Sequence, residues 1–139
     1  VRGGRFGTGR YALAQGTGGT VTAALAVFGR ATTGATEEYN GSGWVAGGTG
    51  NTARYGGAKF GTQTAAVAAG GKNGGTKDNV EEYNGSSWTE VNDLNTAKNY
   101  LGGAGISTSA MAMEGEIETW NGTSWTEVTD LNTPRTSGV

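Results

Sequence analysis

A near-copied segment occurs three times along the chain, and this repetition limits the fold more than any other feature of the sequence. The copies are clearest around an Asn-Gly dipeptide, as EEYNGSGW at 37–44, EEYNGSSW at 81–88 and ETWNGTSW at 118–125. The asparagines of these dipeptides, Asn40, Asn84 and Asn121, lie 44 and then 37 residues apart. A period of this length is typical of architectures in which each repeat is one supersecondary unit.

The repeat defines a single domain over residues 1–139 that contains three units. We place the units at 10–54, 55–98 and 99–135, and assign 1–9 and 136–139 to neighbouring units. Each unit runs through a small-residue apolar segment, a polar segment of variable length, the Asn-Gly segment, and Asn-Thr-Ala/Pro followed by a basic residue.

The apolar segments lie at 20–28, 62–69 and 107–113 and are bounded by glycine or polar residues. Short apolar runs of this kind favour buried β-strands, and Asn-Gly between β-prone segments predicts a tight hairpin in which both turn residues take positive φ. With 28 glycines and one proline in the chain, the predicted class is all-β.

Aromatic residues recur on both sides of each Asn-Gly turn. Because they keep one register in all three units, we predict that they hold the units together and do not contact ligand; these positions are Tyr39, Trp44, Tyr83, Trp88, Trp120 and Trp125.

The polar segment differs most between units, and it is predicted to be a loop at 72–80 in the second unit. Insertions within repeats map to loops that often form the binding face, whereas the alternative is a tolerant surface turn. The ligand-binding candidates of this loop are Lys72, Asn73, Lys77, Asp78 and Asn79.

One basic residue closes each unit, at Arg54, Lys98 and Arg135. A single cation at a fixed register favours a structural role in a repeat fold. We predict that it pairs with the unit's own glutamate or with a backbone carbonyl.

The composition argues against several functions. The chain has no histidine and no cysteine, so the commonest general base and the commonest transition-metal ligands are missing. We predict no catalytic residues, no metal site and no cofactor. A net charge of −2 gives no electrostatic reason for nucleic acid binding, and no apolar run reaches the roughly 18 residues that membrane insertion requires.

The second unit resembles the kelch repeat. The resemblance is carried by Arg54, the apolar run Ala65–Ala69, Gly70-Gly71, Glu82-Tyr83, Trp88 and Lys98. The other units depart from the pattern, with Phe28-Gly29 and Glu114-Gly115 at the di-glycine and Trp120 at the tyrosine. The resemblance implies four-stranded antiparallel blades of a β-propeller. Some kelch-fold proteins are galactose oxidases with a copper site that needs His and Cys. This chain has neither residue, so the resemblance does not imply that site here.

Propellers close with about four to eight blades, so three units imply ring closure by further chain or by oligomerisation. The units have near-identical sequences, and in this they resemble kelch-like proteins of cyanobacterial phages. That similarity implies a structural or adhesive module of a phage tail or fibre, located on the virion or outside the cell. Its partners would be further copies or other virion proteins. The alternative is a soluble propeller lectin that binds surface glycans.

Overall fold

The computed structural model describes residues 13–16, 20–30 and 34–132, and all regular elements in these ranges are β-strands. The all-β prediction is therefore confirmed. No helix in the described ranges is long and apolar enough to cross a membrane. The outer bounds of the first and third units, and the basic residue at 135, lie outside the described residues.

The strands follow one another along the chain with short connections. Those of the first unit are β1 Gln15–Gly16, β2 Leu25–Val27, β3 Thr36–Tyr39 and β4 Trp44–Ala46. Those of the second are β5 Ala58–Thr62, β6 Ala65–Asn73, β7 Gly75–Tyr83 and β8 Trp88–Val91. Those of the third are β9 Gly102–Ile106, β10 Ser109–Glu114, β11 Glu116–Trp120 and β12 Trp125–Val128.

The strands form three antiparallel sheets in which neighbours in sequence are neighbours in space. The antiparallel sets are β2-β3-β4, β5-β6-β7-β8 and β9-β10-β11-β12, and β1 extends the second as a fifth strand beside β5. The prediction of four antiparallel strands in every unit is wrong for the first. There the Ala14 N–H donates to the carbonyl of Val27 over 3.1 Å, but Gln15–Gly16 then runs parallel to β5, with Gln15 opposite Ala58.

Each Asn-Gly dipeptide opens a four-residue loop, not the tight two-residue turn that the sequence predicts. Tyr39 faces Trp44 across the first loop, and the Asn40 Oδ1 accepts hydrogen bonds from the backbone N–H of Ser42 (2.9 Å) and of residue 43 (3.0 Å). Only the glycine takes positive φ, at 92° for Gly41. The asparagine is therefore needed for its side-chain acceptor. The loops at Asn84 and Asn121 repeat these bonds.

All three apolar segments contain a tight turn and are not single strands as predicted. In the first unit Thr20 and Ala23 pair across a turn at 21–22. In the second unit β5 ends at Thr62 and β6 begins at Ala65. Gly61 makes the close turn possible, because its φ is +88° and a Cβ there would lie 2.2 Å from the carbonyl oxygen of Ala65. The third unit turns in the same way between Ile106 and Ser109.

The core lies between the sheets, and the second sheet is buried on both faces. One face contacts the first sheet in a cluster of Leu25, Val27, Phe28, Ala66, Ala68, Tyr83 and Trp88. The other contacts the third sheet in a cluster of Ala58, Phe60, Val67, Ala69, Val80, Leu94, Leu101, Ala110, Ala112, Trp120 and Trp125. Burial on both faces explains why β6 opens with an unbroken apolar run, since a half-exposed strand would alternate.

The indole groups of two equivalent tryptophans have different surroundings. Trp88 Nε1 donates to Thr36 Oγ1 over 2.9 Å. In the next repeat Trp125 Nε1 is buried and has no hydrogen-bond partner among the described residues. The residue before the Glu-Glu-Tyr motif explains the difference, because Val80 occupies the position that Thr36 has in the first unit.

A threonine at position 80 is expected to stabilise the fold. Val80→Thr supplies an acceptor for the Trp125 indole at nearly constant volume, and a net hydrogen bond contributes about 1 kcal/mol. The free energy of unfolding, measured in urea, should rise by about this amount. The control Val67→Thr places a hydroxyl in the same core cluster, and it should lower the free energy by about 1–3 kcal/mol. Equal losses in the two variants would show that the hydroxyl at 80 does not reach the indole.

Candidate functional site

The predicted ligand-binding loop is a β-hairpin in the structure. β6 continues to Asn73 and β7 begins at Gly75, with Gly74 alone between them at φ +75°. The strands pair through Gly71↔Lys77 and Lys72↔Thr76 beyond a register shift that begins at Ala69. The loop prediction for 72–80 is therefore wrong. The polar side chains extend from two paired strands. The hydrogen bonds of this pairing join backbone atoms and do not depend on which side chains are present.

Backbone hydrogen bonds fix the base of this hairpin to the ends of two units. Lys72 exchanges two bonds with Tyr55, of 2.8 and 3.1 Å. On the other strand the carbonyl oxygens of Lys77 and Asp78 accept from the N–H groups of Lys98 (3.1 Å) and Leu94 (3.0 Å). The hairpin is thus an anchored platform with an exposed tip.

The five candidate side chains do not converge on one point. Cross-strand partners share a face and successive residues alternate, so Asn73, Lys77 and Asn79 lie on one face of the hairpin. Lys72 and Asp78 lie on the other. Asn73 and Asp78 are exposed and the other three are half-buried. The arrangement offers two small polar surfaces and no enclosed pocket formed by all five.

Two neighbouring groups already engage part of this hairpin. Asn73 Nδ2 donates to the carbonyl of Ala53 over 3.0 Å, and Asn99 Nδ2 donates to Thr76 Oγ1 over 2.6 Å. Burial, and after it the nearby Asp78 carboxylate, raises the pKa of Asp93. Of the five candidates, Asn73 alone forms a side-chain hydrogen bond or ion pair within the described part of the chain.

The buried polar chemistry lies elsewhere, where one unit meets the next. Arg54 Nη1 lies 2.5 Å from Glu81 Oε2, and the two side chains are 1% and 0% exposed. The guanidinium also donates to the carbonyls of Gly70 (2.8 Å), Ala68 (3.0 Å) and Thr52 (2.9 Å). Burial lowers the pKa of Arg54, and the bond to Glu81 acts in the opposite direction.

The residues before the arginine hold the same carboxylate. The N–H and side-chain amide of Asn51 donate to Glu81 Oε1 over 2.6 and 3.0 Å, and the N–H of Thr52 donates to Oε2 over 3.3 Å. We call the segment Asn51–Arg54 with its glutamate a junction clasp. The predicted carbonyl partners of Arg54 are present, but its carboxylate belongs to the following unit and not to its own.

The second junction clasp uses Lys98 in place of arginine. Lys98 Nζ lies 3.0 Å from Glu118 Oε1, with both side chains 0% exposed, and 3.9 Å from the half-exposed Glu116. Asn95 and Thr96 donate to Glu118 as their counterparts do to Glu81. An ammonium cannot reproduce the planar fork of a guanidinium, so this clasp has fewer hydrogen bonds.

The hairpin aromatics lie in the core or at its edge. Tyr83, Trp88, Trp120 and Trp125 are 2–6% exposed, whereas Tyr39 and Trp44 are half-buried. Tyr83 also bridges two units, because its hydroxyl donates to Glu38 Oε1 over 2.5 Å and accepts from the N–H of Gly48 over 3.3 Å. Trp120, which replaces this tyrosine, donates instead to the carbonyl of Ser107 over 2.9 Å.

A shallow cleft of about 300 Å³ opens where the second and third units meet. It is lined by Thr64, Ala65, Ala66, Glu82, Tyr83, Asn84, Ser107 and Thr108. Among the residues that the structure describes there is no group of three or more His, Cys, Asp and Glu side chains that could hold a metal ion.

Comparison with known proteins adds no assignment. No family model matches the chain, and no curated protein is significantly similar to it. Function is therefore inferred from the chain's own residues.

The first clasp yields a stability prediction. Glu81→Gln leaves the Arg54 guanidinium buried without a counter-charge, and breaking a buried pair in this way costs about 3–5 kcal/mol. Urea unfolding should show this loss. Glu82→Gln, at the half-buried neighbouring position, is the matched control and should change stability little. The double variant Arg54→Met with Glu81→Met should lose less than the sum of its single changes, and strict additivity would contradict coupling of the pair.

The second clasp yields a pH prediction. Burial alone would raise the pKa of Glu118, but hydrogen bonds from Asn95 and Thr96, together with the adjacent Lys98 ammonium, bring it below its ordinary value of 4.5. A pKa that is lower in the folded chain stabilises the fold above the unfolded value, and this stabilisation is lost as pH falls through the folded value. Unfolding free energies measured from pH 7 down to 3 should therefore fall at the acid end.

Glu118→Gln should remove part of that acid-dependent loss, while Glu127→Gln at an exposed position should leave its slope unchanged. A wild-type slope in the Glu118→Gln variant would show that other groups cause the acid sensitivity.

Proposed function

We propose that the chain is a non-catalytic structural or adhesive module, built from blades of a kelch-like β-propeller, that serves on a virion as part of a tail or fibre. The propeller assignment is supported by three sheets that pack face to face in chain order through two equivalent clasps. The virion assignment rests on the resemblance noted in the sequence, between its repeated segments and kelch-like phage proteins.

The non-catalytic assignment is supported by how the chain uses its ionisable groups. His and Cys are absent from the sequence. The two fully buried carboxylates, Glu81 and Glu118, are occupied by backbone N–H groups and a cation at the junctions. Such carboxylates are held in place and are not open to a substrate.

One observation carries the proposal of recognition: the β6–β7 hairpin is the element whose length varies between otherwise near-copied units. In the third unit the connection from Glu114 to Glu116 is a single residue, Gly115, and its sheet keeps four strands. The extra residues of the second unit are therefore not required by the fold. Elements without a structural requirement are where binding function accumulates in a repeat protein.

A glycan-binding function is the second candidate, and it is favoured by Tyr39 and Trp44. Their ring centroids lie 5.2 Å apart, and both side chains are half-buried, so part of each ring is open to a ligand. Aromatic faces of this kind can stack on apolar faces of a sugar. The equivalent rings of the second and third units are buried and cannot do so.

A side-chain variant of the hairpin tests the proposal. We expect a joint change of Lys72, Asn73, Lys77, Asp78 and Asn79 to alanine to keep the fold, because the anchoring bonds to Tyr55, Leu94 and Lys98 use backbone atoms. Binding to intact cyanobacterial cells should fall roughly tenfold or more, the equivalent of about 1.4 kcal/mol. Melting temperatures and cell-binding isotherms measure the two effects.

The matched control changes Ser42, Ser86 and Thr123 to alanine, which removes exposed hydroxyls from the Asn-Gly loops. If the control weakens binding as much as the hairpin variant, the recognition surface is not the hairpin. If Trp44→Ala abolishes binding on a glycan array while the hairpin variant binds normally, the lectin function replaces the proposed one.

A further inference from the structure

The carboxylate of Glu82 is a half-buried charge that forms no hydrogen bond or ion pair within the described part of the chain. Its two neighbours on β7 are engaged, Glu81 in the first clasp and Tyr83 in a bond to Glu38. Removing a charge from water costs free energy unless a partner compensates it. A ligand that brings a positive charge to Glu82 would supply that compensation.

The equivalent carboxylate at the first junction already has its partner. Glu38 occupies the position of Glu82 in the repeat, as the two EEYNG segments show. Its Oε1 accepts a hydrogen bond from the Tyr83 hydroxyl over 2.5 Å, and the same hydroxyl accepts from the N–H of Gly48 over 3.3 Å. A glutamate at this position is therefore one half of a contact between two units.

The third unit does not supply the other half of this contact to Glu82. Trp120 replaces the tyrosine, and its Nε1 donates to the carbonyl of Ser107 over 2.9 Å. Asn92 replaces the glycine, and its Nδ2 donates to the carbonyl of Thr123 over 2.6 Å. Both side-chain donors that stand in place of the first-junction groups are thus bound to other acceptors.

Glu82 lies at two clefts of the second junction. Its cross-strand partner Val67 is buried against the third sheet, and cross-strand partners share a face, so the glutamate faces the third unit. It lines the cleft of about 300 Å³ described above and a second cleft of about 270 Å³. These volumes are close to the lower limit of roughly 300 Å³ for ligand sites, which suits a single side chain as ligand.

The walls of the two clefts favour a cation over a sugar. Glu82 is the charged residue among the described residues that line them, and neutral hydroxyls and amides surround it, from Thr64, Ser107, Thr108, Thr123, Asn84 and Asn92. The aromatic residues at the clefts, Tyr83 and Trp120, are 2% exposed, so neither ring presents a face on which a sugar could stack.

We propose that the Glu82 clefts bind an alkyl guanidinium, the side-chain group of arginine. A carboxylate without hydrogen bonds can accept two parallel N–H groups from this planar cation, and hydroxyl and amide oxygens of the walls can accept the remaining ones. An ammonium lacks this fork. The chain itself pairs a glutamate with a guanidinium at the first clasp, where Arg54 binds Glu81.

This binding site goes beyond the proposed function and does not rest on it. None of the five hairpin candidates lines either cleft among the described residues, and the argument does not use the virion assignment. Cell binding through the hairpin can therefore fail while guanidinium binding is observed, and the reverse is equally possible.

An NMR titration tests the site with acetyl-arginine amide as the probe. Acetyl-citrulline amide, which has nearly the same shape and no charge, is the control ligand. The arginine probe should shift the backbone amide signals of Glu82, Ser107, Thr108 and Thr123, and the citrulline compound should leave them unchanged. Added salt should weaken the binding, because the carboxylate is partly open to solvent and salt screens such charges.

Two variants test the carboxylate. Glu82→Gln keeps the shape of the side chain and should raise the dissociation constant roughly tenfold or more. The matched control Glu38→Gln changes the equivalent carboxylate, which Tyr83 already occupies, and should leave the affinity unchanged. The melting temperature of each variant verifies folding.

A third variant tests why the site is open. Trp120→Tyr restores the residue of the second unit, whose hydroxyl should bind Glu82 as that of Tyr83 binds Glu38. It should weaken binding of the arginine probe although the carboxylate is retained. Where this variant does not fold, Glu82→Gln decides the result.

A comparison with butylguanidinium identifies the source of the cation. Tighter binding of acetyl-arginine amide would indicate an arginine of a partner protein, and tighter binding of butylguanidinium a free small molecule. Three outcomes would overturn the inference. They are equal binding of the citrulline control, an unchanged affinity in Glu82→Gln, and a glycan that shifts these signals when the arginine probe does not.

Discussion

A buried ion pair at each junction is the interaction on which the arrangement of the units depends. Arg54 and Glu81 are almost fully removed from water, and desolvating two charges costs several kcal/mol per ion unless geometry and additional hydrogen bonds compensate. In the structure these bonds come from both sides of the junction. The arginine binds three carbonyls, and the glutamate accepts from the backbone of the clasp. The pair is satisfied only when the second unit lies in one position against the end of the first.

The need for such a clasp follows from how thin the core is. Alanine and glycine supply much of the area between the sheets, so each junction buries few large side chains. Phe60 reaches across and lies so close to Gly103 that a Cβ there would be 2.4 Å from its ring. Close approach of this kind gives dense packing but little apolar area per residue. Directional polar contacts therefore set how one unit lies against the next. Aromatic contacts add to each junction, through Phe28–Trp88 at the first and Phe60–Trp125 and Tyr55–Tyr100 at the second.

The residues that recur in every unit show which parts of the chain are left for function. The recurring glutamates, tryptophans and asparagines have structural contacts in the clasps, the core and the hairpin loops. The long β6–β7 hairpin is not explained by these needs. It carries polar groups on a rigid support, which fits recognition of another molecule.

Local features of this protein could be predicted from the sequence, and features that depend on contact between units could not. Asn40 and its equivalents marked the hairpins, because an Asx acceptor and a glycine at positive φ act within four residues. The alternation of apolar runs and glycines gave the all-β class. The turn inside the 62–69 segment and the strand character of 72–80 were missed, since small residues satisfy several local patterns equally well.

By itself, the sequence determined the three copies of the repeat, the all-β class and the positions of the Asn-Gly hairpins, because each follows from interactions between residues close in the chain. Only the tertiary structure decided that Arg54 holds the glutamate of the next unit, that Trp125 lacks the acceptor which Thr36 gives to Trp88, and that Leu131 is exposed where Leu94 is buried. The partners and the burial of these residues depend on the sheet that packs against them across a junction. Equivalent residues carry the same local signal in every unit, and their burial and partners differ because the neighbouring units differ.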